Sequence, residues 1–199
     1  MEHSILDSMK MRRSVYQLGK TLPFSTDELE QLVKDAVKYT PSAFNSQTSR
    51  AIVLYGEEND WLWQSIFEKV RPLLADGQEA STKAKLASFN AGVGTILFFE
   101  ELAIVSQLEK DFPLYSENFG QWSQHASGMT QLAVWTVLAE HHIGASLQHY
   151  GNLIEKEVQR RYELPTSWSL IAMMPFGSIE GQPPAKQFGD INSRVLVKD

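Results

Sequence analysis

The sequence predicts a single domain of the α+β class, in which helices outnumber strands. A chain of 199 residues suits one domain that buries a sizeable hydrophobic core. Helical and strand patterns do not alternate regularly along it, which argues against a doubly wound sheet. No internal repeat, low-complexity tract or linker rich in Pro, Gly and Ser divides it. We therefore expect residues 1–199 to form one domain.

The N-terminal part of the chain is predicted to contain two helices. A short helix is expected over residues 3–11. Ser25 and Glu28 have the spacing of a capping box, in which a hydroxyl and a carboxylate satisfy the first backbone N–H groups of a helix. Apolar residues from Leu29 to Val37 recur at helical spacing. This second helix therefore buries one face, and it ends before Pro41.

The elements after Pro41 follow from apolar runs for strands and from helical periodicity for helices. Residues 73–92 show no clear pattern. The predicted elements are a strand at Arg50–Tyr55, a helix near residues 59–72, a buried strand at Gly94–Phe99, a helix over residues 116–142, a helix over residues 152–162, a strand over residues 168–175 and a last strand at Arg194–Val197.

The predicted helix over residues 116–142 differs from the others because its apolar residues lie on more than one side. A helix with this pattern is buried on several faces. Either it runs through the centre of the domain, or it packs against a partner subunit. A loop of mixed polar character, Ile143–Tyr150, follows it.

Composition narrows the classes of function. The net charge of −6 and the sequence pI of about 5.4 argue against general nucleic-acid affinity, which needs a basic surface. No Lys/Arg block, no apolar run of membrane-spanning length and no signal-peptide layout at Met1–Asp7 is present, so we expect a cytoplasmic protein without membrane contact. The chain has no cysteine, which excludes thiol chemistry and disulfides. Any redox chemistry must come from a bound cofactor.

The sequence contains none of the common catalytic motifs and no pattern typical of a metal site. The chain lacks the glycine-rich phosphate-binding motifs, the serine hydrolase motif and the paired-histidine zinc motif. His141 and His142 are neighbours on a predicted helix and point about 100° apart, so they do not readily share one metal ion. Their place near a helix C-terminus, where cations are favoured, explains them adequately. We predict no metal site.

Two basic features could hold a phosphate. Arg12, Arg13 and Ser14 lie beside a predicted helix end, where two guanidiniums and a hydroxyl suit a phosphorylated ligand. The alternative is a solvated basic patch. Lys186, which follows the Pro183-Pro184 pair in an otherwise acidic protein, is a second candidate cation for the same phosphate.

Two loops could hold a planar polar ligand. Thr40–Thr48 presents two amides and several hydroxyls where a strand begins, although an ordinary solvated connection has the same composition. Gly144–His149 could offer backbone N–H groups to a ligand, because a glycine allows close backbone approach. Equally, Gly144 could simply end the preceding helix.

The order of these segments resembles the nitroreductase family of FMN-dependent flavoproteins. The closest likeness is to a bacterial and fungal subgroup that includes copper-induced nitroreductases, and it covers essentially the full chain. The segments that carry the resemblance are Arg12–Tyr16, Pro41–Gln47, Gly94–Glu100, Gly144–Tyr150, Phe176–Glu180 and the proline-rich tail that leads to Lys186.

The resemblance implies a fold and an assembly. It implies a central, mostly antiparallel sheet flanked by helices, a long central helix and an extended C-terminal tail that reaches the partner subunit. The protein would be a homodimer with FMN sites at the subunit interface. Ser42, Asn45 and Gln47 match the family loop that reaches the flavin across this interface.

The resemblance also assigns the remaining flavin contacts. Arg12, Arg13 and Ser14 would bind the phosphate and ribityl chain, and Lys186 would add charge from the tail. Lys85 falls near a family position on the pyrimidine side of the ring, where a cation stabilises charge on the reduced flavin. The segment whose backbone amides face N5 and O4 of the ring corresponds to Leu147, Gln148 and His149.

Two residues depart from the family pattern. Thr48 stands where family members usually carry proline, which leaves the rigidity of the loop open. Gln148 stands where an acidic residue commonly faces the flavin, so a negative charge is absent. Nicotinamide preference and substrate range therefore do not follow from better-known relatives.

We expect an oxidoreductase with tightly bound FMN and NAD(P)H as co-substrate. Hydride transfer through flavin N5 would follow a ping-pong scheme, with nitroaromatics, quinones or both as small aromatic oxidants. No protein group is assigned as a catalytic acid. One alternative is a flavin-binding regulator or flavin store with little turnover. Another is a structural interaction protein, because the chain has five Trp, ten Phe and six Tyr, although aromatic residues more often form a core.

Overall fold

The computed structural model describes residues 4–198, which form helices packed on both faces of a five-stranded antiparallel sheet. The α+β class is confirmed. The strands are β1 (Leu18–Gly19), β2 (Ser49–Tyr55), β3 (Gly94–Glu101), β4 (Gly144–Ala145) and β5 (Trp168–Ile179). The helices are α1 (Ile5–Met11), α2 (Thr26–Tyr39), α3 (Gly56–Val70), α4 (Glu79–Asn90), α5 (Leu102–Asp111), α6 (Ser116–Glu140) and α7 (Gly151–Arg161).

The sheet is built around β3 and β5. The strand order is β1-β5-β3-β2, and β4 also pairs with β5. Every residue of β3 is buried, which fits its continuous apolar run. The register between β3 and β5 shifts between Phe98 and Phe99, where a bulge occurs. β2 forms one edge of the sheet.

Each face of the sheet has its own hydrophobic core. Ile96 and Phe98 point to one side of β3, where they pack with residues of α2 and α6 such as Val33 and Leu138. Leu97 and Phe99 point to the other side, which α3, α4 and α7 cover. This division follows from the two-residue period of a strand.

Both predicted N-terminal helices form. α1 begins after Ser4, and residue 3 of the predicted helix lies outside the described residues. The capping box of α2 is present, since the Ser25 side chain accepts from the Glu28 N–H and the Glu28 carboxylate accepts from the Ser25 N–H.

Three features differ from the sequence predictions. Residues 79–90 form α4 within the stretch that showed no pattern, and α5 was not predicted. Arg194–Val197 is not a strand: the residues are exposed and follow a short 3₁₀ turn at Ile191–Ser193. A strand needs a neighbouring strand for its backbone hydrogen bonds, and no other strand lies beside this segment within residues 4–198.

The long helix α6 is buried on one side only. Ser123, Ala126 and Val134 are buried, whereas Met129 and Leu132 on another face are about 41% and 42% exposed. α1, α2 and α5 pack against the helix within the chain. Between residues 4 and 198, no helix is both long enough and apolar enough to cross a membrane.

Candidate functional site

The N-terminal basic segment lies beside the loop that follows α6. Ser14 forms a parallel bridge with Ala145, and the Val15 N–H donates to the Ala145 carbonyl at 2.9 Å. This pairing brings Arg12, Arg13 and Ser14 next to the segment that begins at Gly144. Two of the segments that the sequence singled out, more than a hundred positions apart, are therefore neighbours.

Arg12 and Arg13 place two positive charges at this point. The Arg12 guanidinium lies 4.3 Å from the centre of the Trp135 ring. Partial burial, and then the charge of Arg13, lower the pKa of Arg12 from its usual value. Within residues 4–198, neither arginine forms an ion pair with a carboxylate. Partly desolvated cations without a carboxylate partner suit an anionic ligand.

The C-terminal tail reaches the same cluster. An Arg13 guanidinium nitrogen donates to the Pro184 carbonyl at 2.5 Å. The tail carries Lys186, which is exposed and lies 5.2 Å from the Phe188 ring centre. Lys186 follows Pro184 by two residues, so the Arg13–Pro184 hydrogen bond brings it into the neighbourhood of Arg13.

The segment from Leu147 to His149 offers two backbone donors. The Gln148 N–H is already bonded to the Met173 carbonyl at 2.7 Å, and its side-chain amide donates to Ser146 Oγ at 3.1 Å. Among the described residues, the N–H groups of Leu147 and His149 donate to neither backbone nor side chain. These two groups can meet acceptor atoms of a ligand.

Lys85 is connected to the basic segment through two aromatic rings. Its ammonium is 6.0 Å from the centre of the Phe89 ring, which in turn lies 6.4 Å from the Tyr16 ring. Tyr16 follows the basic segment by two residues. Lys85 is exposed, so its side chain can turn toward a ligand bound there.

The Ser42–Gln47 loop has an unusual backbone. Phe44, Asn45 and Gln47 have positive φ angles of 56°, 51° and 49°, although none of them is glycine. The Gln47 N–H donates to Ser42 Oγ at 2.9 Å, and the Gln47 carbonyl accepts from Arg50 at 2.6 Å. These bonds hold the strained turn, which leaves the Asn45 and Gln47 side chains exposed.

A buried carboxyl lies behind the end of this loop. Glu100 in β3 is 0% exposed, and its Oε1 accepts from Ser49 Oγ at 2.5 Å. Burial raises the pKa of Glu100 above its usual value, against the lowering effect of the Ser49 and Thr48 hydroxyls and the Arg50 charge. Sequence reasoning missed this residue, because Glu100 at the end of an apolar run looks like a strand end in water.

An aromatic cluster surrounds Phe44. Its ring centre lies between 4.8 and 6.1 Å from those of four aromatic residues in or just before α6, and it is nearly parallel to Trp122. A cavity of about 350 Å³ opens beside Phe44 and Trp122. The sequence signal was the density of aromatics near residues 112–122, but their contact with Phe44 was not predicted. The four residues are Phe112, Tyr115, Phe119 and Trp122.

The predicted site residues form two groups in one chain. Phe44 of the Ser42–Gln47 loop stacks on Trp122 and Ser42 and Gln47 line a cavity with Thr130 of α6, whereas Arg12 contacts Trp135. Those two tryptophans are 13 positions apart on the helix, which corresponds to about 20 Å at roughly 1.5 Å per residue. The described residues contain no group of three or more His, Asp and Glu placed to hold a metal ion.

Comparisons with known proteins agree on one family. The model of the nitroreductase family matches residues 9–178. The Saccharomyces cerevisiae protein HBN1 is 30% identical over 185 residues, which cover 92% of each chain. Nitroreductase CinD from Lactococcus lactis, solved with chloramphenicol, superposes with a TM-score of 0.91 at 40% identity and covers 98% of this chain and 100% of its own. A CinD structure with 4-nitrophenol gives a TM-score of 0.90.

More distant structures share the fold. A nitroreductase with bound FMN from Desulfitobacterium hafniense is 15% identical, with a TM-score of 0.73 over 100% of both chains. The resemblance to bacterial and fungal relatives that the sequence indicated is confirmed by the bacterial CinD and the yeast HBN1.

Proposed function

The chain belongs to the nitroreductase family of oxidoreductases, and from this premise we propose that it binds FMN and uses NAD(P)H to reduce nitroaromatics or quinones. The observation that carries the proposal is the pair of partly buried guanidiniums, Arg12 and Arg13, beside the free N–H groups of Leu147 and His149. A ligand with a phosphate at one end and acceptor atoms on a planar ring would pair with both the guanidiniums and these N–H groups. FMN has this form.

The phosphate end fits the basic cluster. Arg12, held against Trp135, and Arg13, held by the Pro184 carbonyl, can each direct N–H groups at phosphate oxygens. The Ser14 hydroxyl lies next to them, and Lys186 adds a charge from the tail. A bound dianionic phosphate would also explain why these cations lack carboxylate partners within the described residues.

The ring end fits the segment after α6. The Leu147 and His149 N–H groups would donate to acceptor atoms on one edge of the ring, while the Gln148 backbone stays paired with Met173. Lys85 would approach the pyrimidine side, where its charge favours the reduced state. When bound, FMN supplies the hydride chemistry that the cysteine-free chain lacks, and the protein supplies position and electrostatics.

A complete site needs a second subunit. The Ser42–Gln47 loop lies along α6 from Trp122 to Thr130, whereas the basic cluster lies at Trp135, between about 7 and 20 Å further along the axis at roughly 1.5 Å per residue. If two copies pack their α6 helices antiparallel about a twofold axis, the loop of one copy meets the basic cluster of the other. The exposed Met129 and Leu132 lie on the free face of α6 and suit such a contact.

Aromatic oxidants fit the surface beside the loop. The cavity next to Phe44 and Trp122 has flat aromatic walls, and stacking favours planar rings. CinD, which was solved with chloramphenicol and with 4-nitrophenol, binds two nitroaromatic compounds. An alternating scheme, in which the nicotinamide leaves before the oxidant enters, follows if both use this space.

The cofactor proposal is tested by FMN titration of the flavin-free protein. We expect Arg12→Ala to weaken FMN binding by about tenfold or more, because a hydrogen bond to a charged group contributes roughly 1.5–3 kcal/mol. Arg160→Ala removes an exposed arginine of α7 and is the matched control. A wild-type protein that shows no affinity for FMN contradicts the proposal.

Turnover is tested separately, because a flavin store on the same scaffold would also bind FMN. Anaerobic addition of NADH or NADPH to the yellow holoprotein should bleach the flavin absorbance, and 4-nitrophenol, a nitroaromatic drug or a quinone should restore it. A yellow protein that neither nicotinamide bleaches would instead be a flavin-binding regulator or store.

A further inference from the structure

Arg12 is held at both ends of its side chain. Its backbone N–H, at the end of α1, donates to the Ser8 carbonyl at 3.0 Å. Its guanidinium lies 4.3 Å from the centre of the Trp135 ring, which is within the range of a cation–π contact. Trp135 in turn is partly buried and packs against the core between the sheet and α6. The face of a fixed ring therefore sets where the Arg12 charge lies.

The edge of the Arg12 guanidinium remains free for a ligand. Among residues 4–198, no carbonyl, hydroxyl or carboxylate accepts from its N–H groups, whereas Arg13 already donates to the Pro184 carbonyl. A guanidinium that stacks on an aromatic ring contacts it with its flat face and keeps its five donors in the plane. All the side-chain donors of Arg12 are therefore available to an anion that approaches in that plane.

The same stacked arrangement occurs elsewhere in the chain with its anion in place. The Arg161 guanidinium lies 4.4 Å from the Trp61 ring centre and donates twice to the Glu58 carboxylate, at 2.6 and 2.8 Å. There, an indole orients a guanidinium whose edge binds two oxygens of one anion. The two stacking distances are nearly equal, but no carboxylate meets Arg12 within the described residues. Arg12 and Trp135 thus form the same pair with the anion position open.

We propose that Trp135 is a positioning residue: by stacking on Arg12 it directs the free edge of the guanidinium at the phosphate, and it thereby contributes to a preference for FMN over riboflavin, which lacks the phosphate. This inference rests on the proposed function. An arginine that is already ordered loses less conformational freedom when its ligand binds. The neighbouring Arg13 charge acts on Arg12, and attraction to the ring holds the two cations together despite their repulsion.

The test compares the dissociation constants of FMN and of riboflavin, both measured with the flavin-free protein. We expect Trp135→Leu to weaken FMN binding by about fivefold and to leave riboflavin binding within about twofold of wild type, because the lost cation–π contact acts only on the phosphate. Trp135→Phe keeps an aromatic face without the indole N–H and should retain most of the FMN affinity. Trp61→Leu removes the other stacked indole, is the matched control and should change neither constant.

The dependence on Arg12 is tested by combining substitutions. If the ring acts through the guanidinium, its removal has no effect once that group is gone. Arg12→Ala combined with Trp135→Leu should therefore bind FMN within about twofold of Arg12→Ala alone. Additive losses would show that Trp135 acts by another route and would overturn the proposal. A Trp135→Phe variant as weak as Trp135→Leu would also overturn it, because the indole N–H would then be a direct ligand.

A second measurement needs no flavin. In the NMR spectrum of the flavin-free protein, the ring current of the indole should shift the Arg12 side-chain N–H proton upfield, and Trp135→Leu should remove this shift. Arg12→Ala identifies the signal. No FMN binding by wild type contradicts the proposed function. Binding of FMN with equal losses for FMN and riboflavin in Trp135→Leu, no loss at all, or an unshifted Arg12 signal instead overturns the role of Trp135.

Discussion

Gln148 is a neutral residue at the position where the resemblance to the family implies an acidic one. Its side chain is buried and donates to Ser146, so the site beside the proposed ring edge is neutral. A carboxylate here would lie near the negative charge that reduction places on a flavin. Charge on this residue should therefore set the reduction potential rather than the strength of phosphate binding.

We predict that Gln148→Glu lowers the two-electron reduction potential of the bound flavin by about 30 mV or more, which corresponds to ~1.4 kcal/mol. The anion disfavours the reduced state, and spectroelectrochemical titration of the holoprotein measures the change. Gln148→Leu removes the hydrogen bond to Ser146 without adding charge and should shift the potential less. Equal potentials in wild type and Gln148→Glu would show that the side chain does not act on the ring.

The identities of the candidate site residues can be read from the sequence, whereas the backbone conformation at the site cannot. The amides of Asn45 and Gln47 and the cations at Arg12 and Arg13 are visible in the sequence because their chemistry does not depend on conformation. The left-handed backbone at Phe44 was not predictable, since left-handed residues are usually glycine. Its strain is offset by packing against rings of α6, a contact between distant parts of the chain.

At the scale of elements, the sequence did not predict the helices that lack a preferred cap residue or a strong apolar period. α5 begins directly after β3, and the Glu101 side chain caps it by accepting from the Ala103 N–H. Glutamate is not among the preferred N-cap residues. In α4 only Leu86 and Phe89 are buried, so the sequence shows little apolar stripe. α2, in contrast, has a full capping box and was predicted correctly.

One ion-pair cluster connects α3 to the end of α7. Arg161 donates twice to Glu58, at 2.6 and 2.8 Å, and the Tyr162 hydroxyl donates to the same carboxylate at 2.7 Å. These hydrogen bonds lower the pKa of Glu58 to about 2. The group is partly exposed, so solvent screening limits its contribution to stability.

We predict that Glu58→Gln lowers stability at neutral pH by less than ~1 kcal/mol and that this difference disappears in acid. Because the folded-state pKa is depressed, the stabilisation is present above the ordinary pKa of a glutamate and is lost as the pH falls toward 2. Thermal unfolding of wild type and variant at several pH values measures it. Glu57→Gln, next to it but without these bonds, should show no such convergence.

At the scale of the whole molecule, exposed apolar surface lies where the proposed dimer needs it. A groove of about 620 Å³ runs between α1, α2 and α6 and is lined by Ile5, Met9, Tyr39, Met129 and Leu132. The tail carries exposed apolar residues, Val195 to Val197, which are 63–82% exposed within residues 4–198. Both features fit a second copy of this chain, because the two halves of the proposed flavin site contact different stretches of α6 in one copy.

We predict that Leu132→Glu converts the dimer to a monomer and abolishes tight FMN binding in the same variant. A carboxylate on the free face of α6 would be buried against the partner helix, and an unpaired buried charge is strongly unfavourable. Light scattering measures the mass, and FMN titration measures the affinity. Leu73→Glu introduces the same charge at a site that is 70% exposed after α3 and should change neither. Monomers of Leu132→Glu that still bind FMN as tightly as wild type would show that one chain completes the site, and the loop at Asn45 and Gln47 would then act on the flavin of its own subunit.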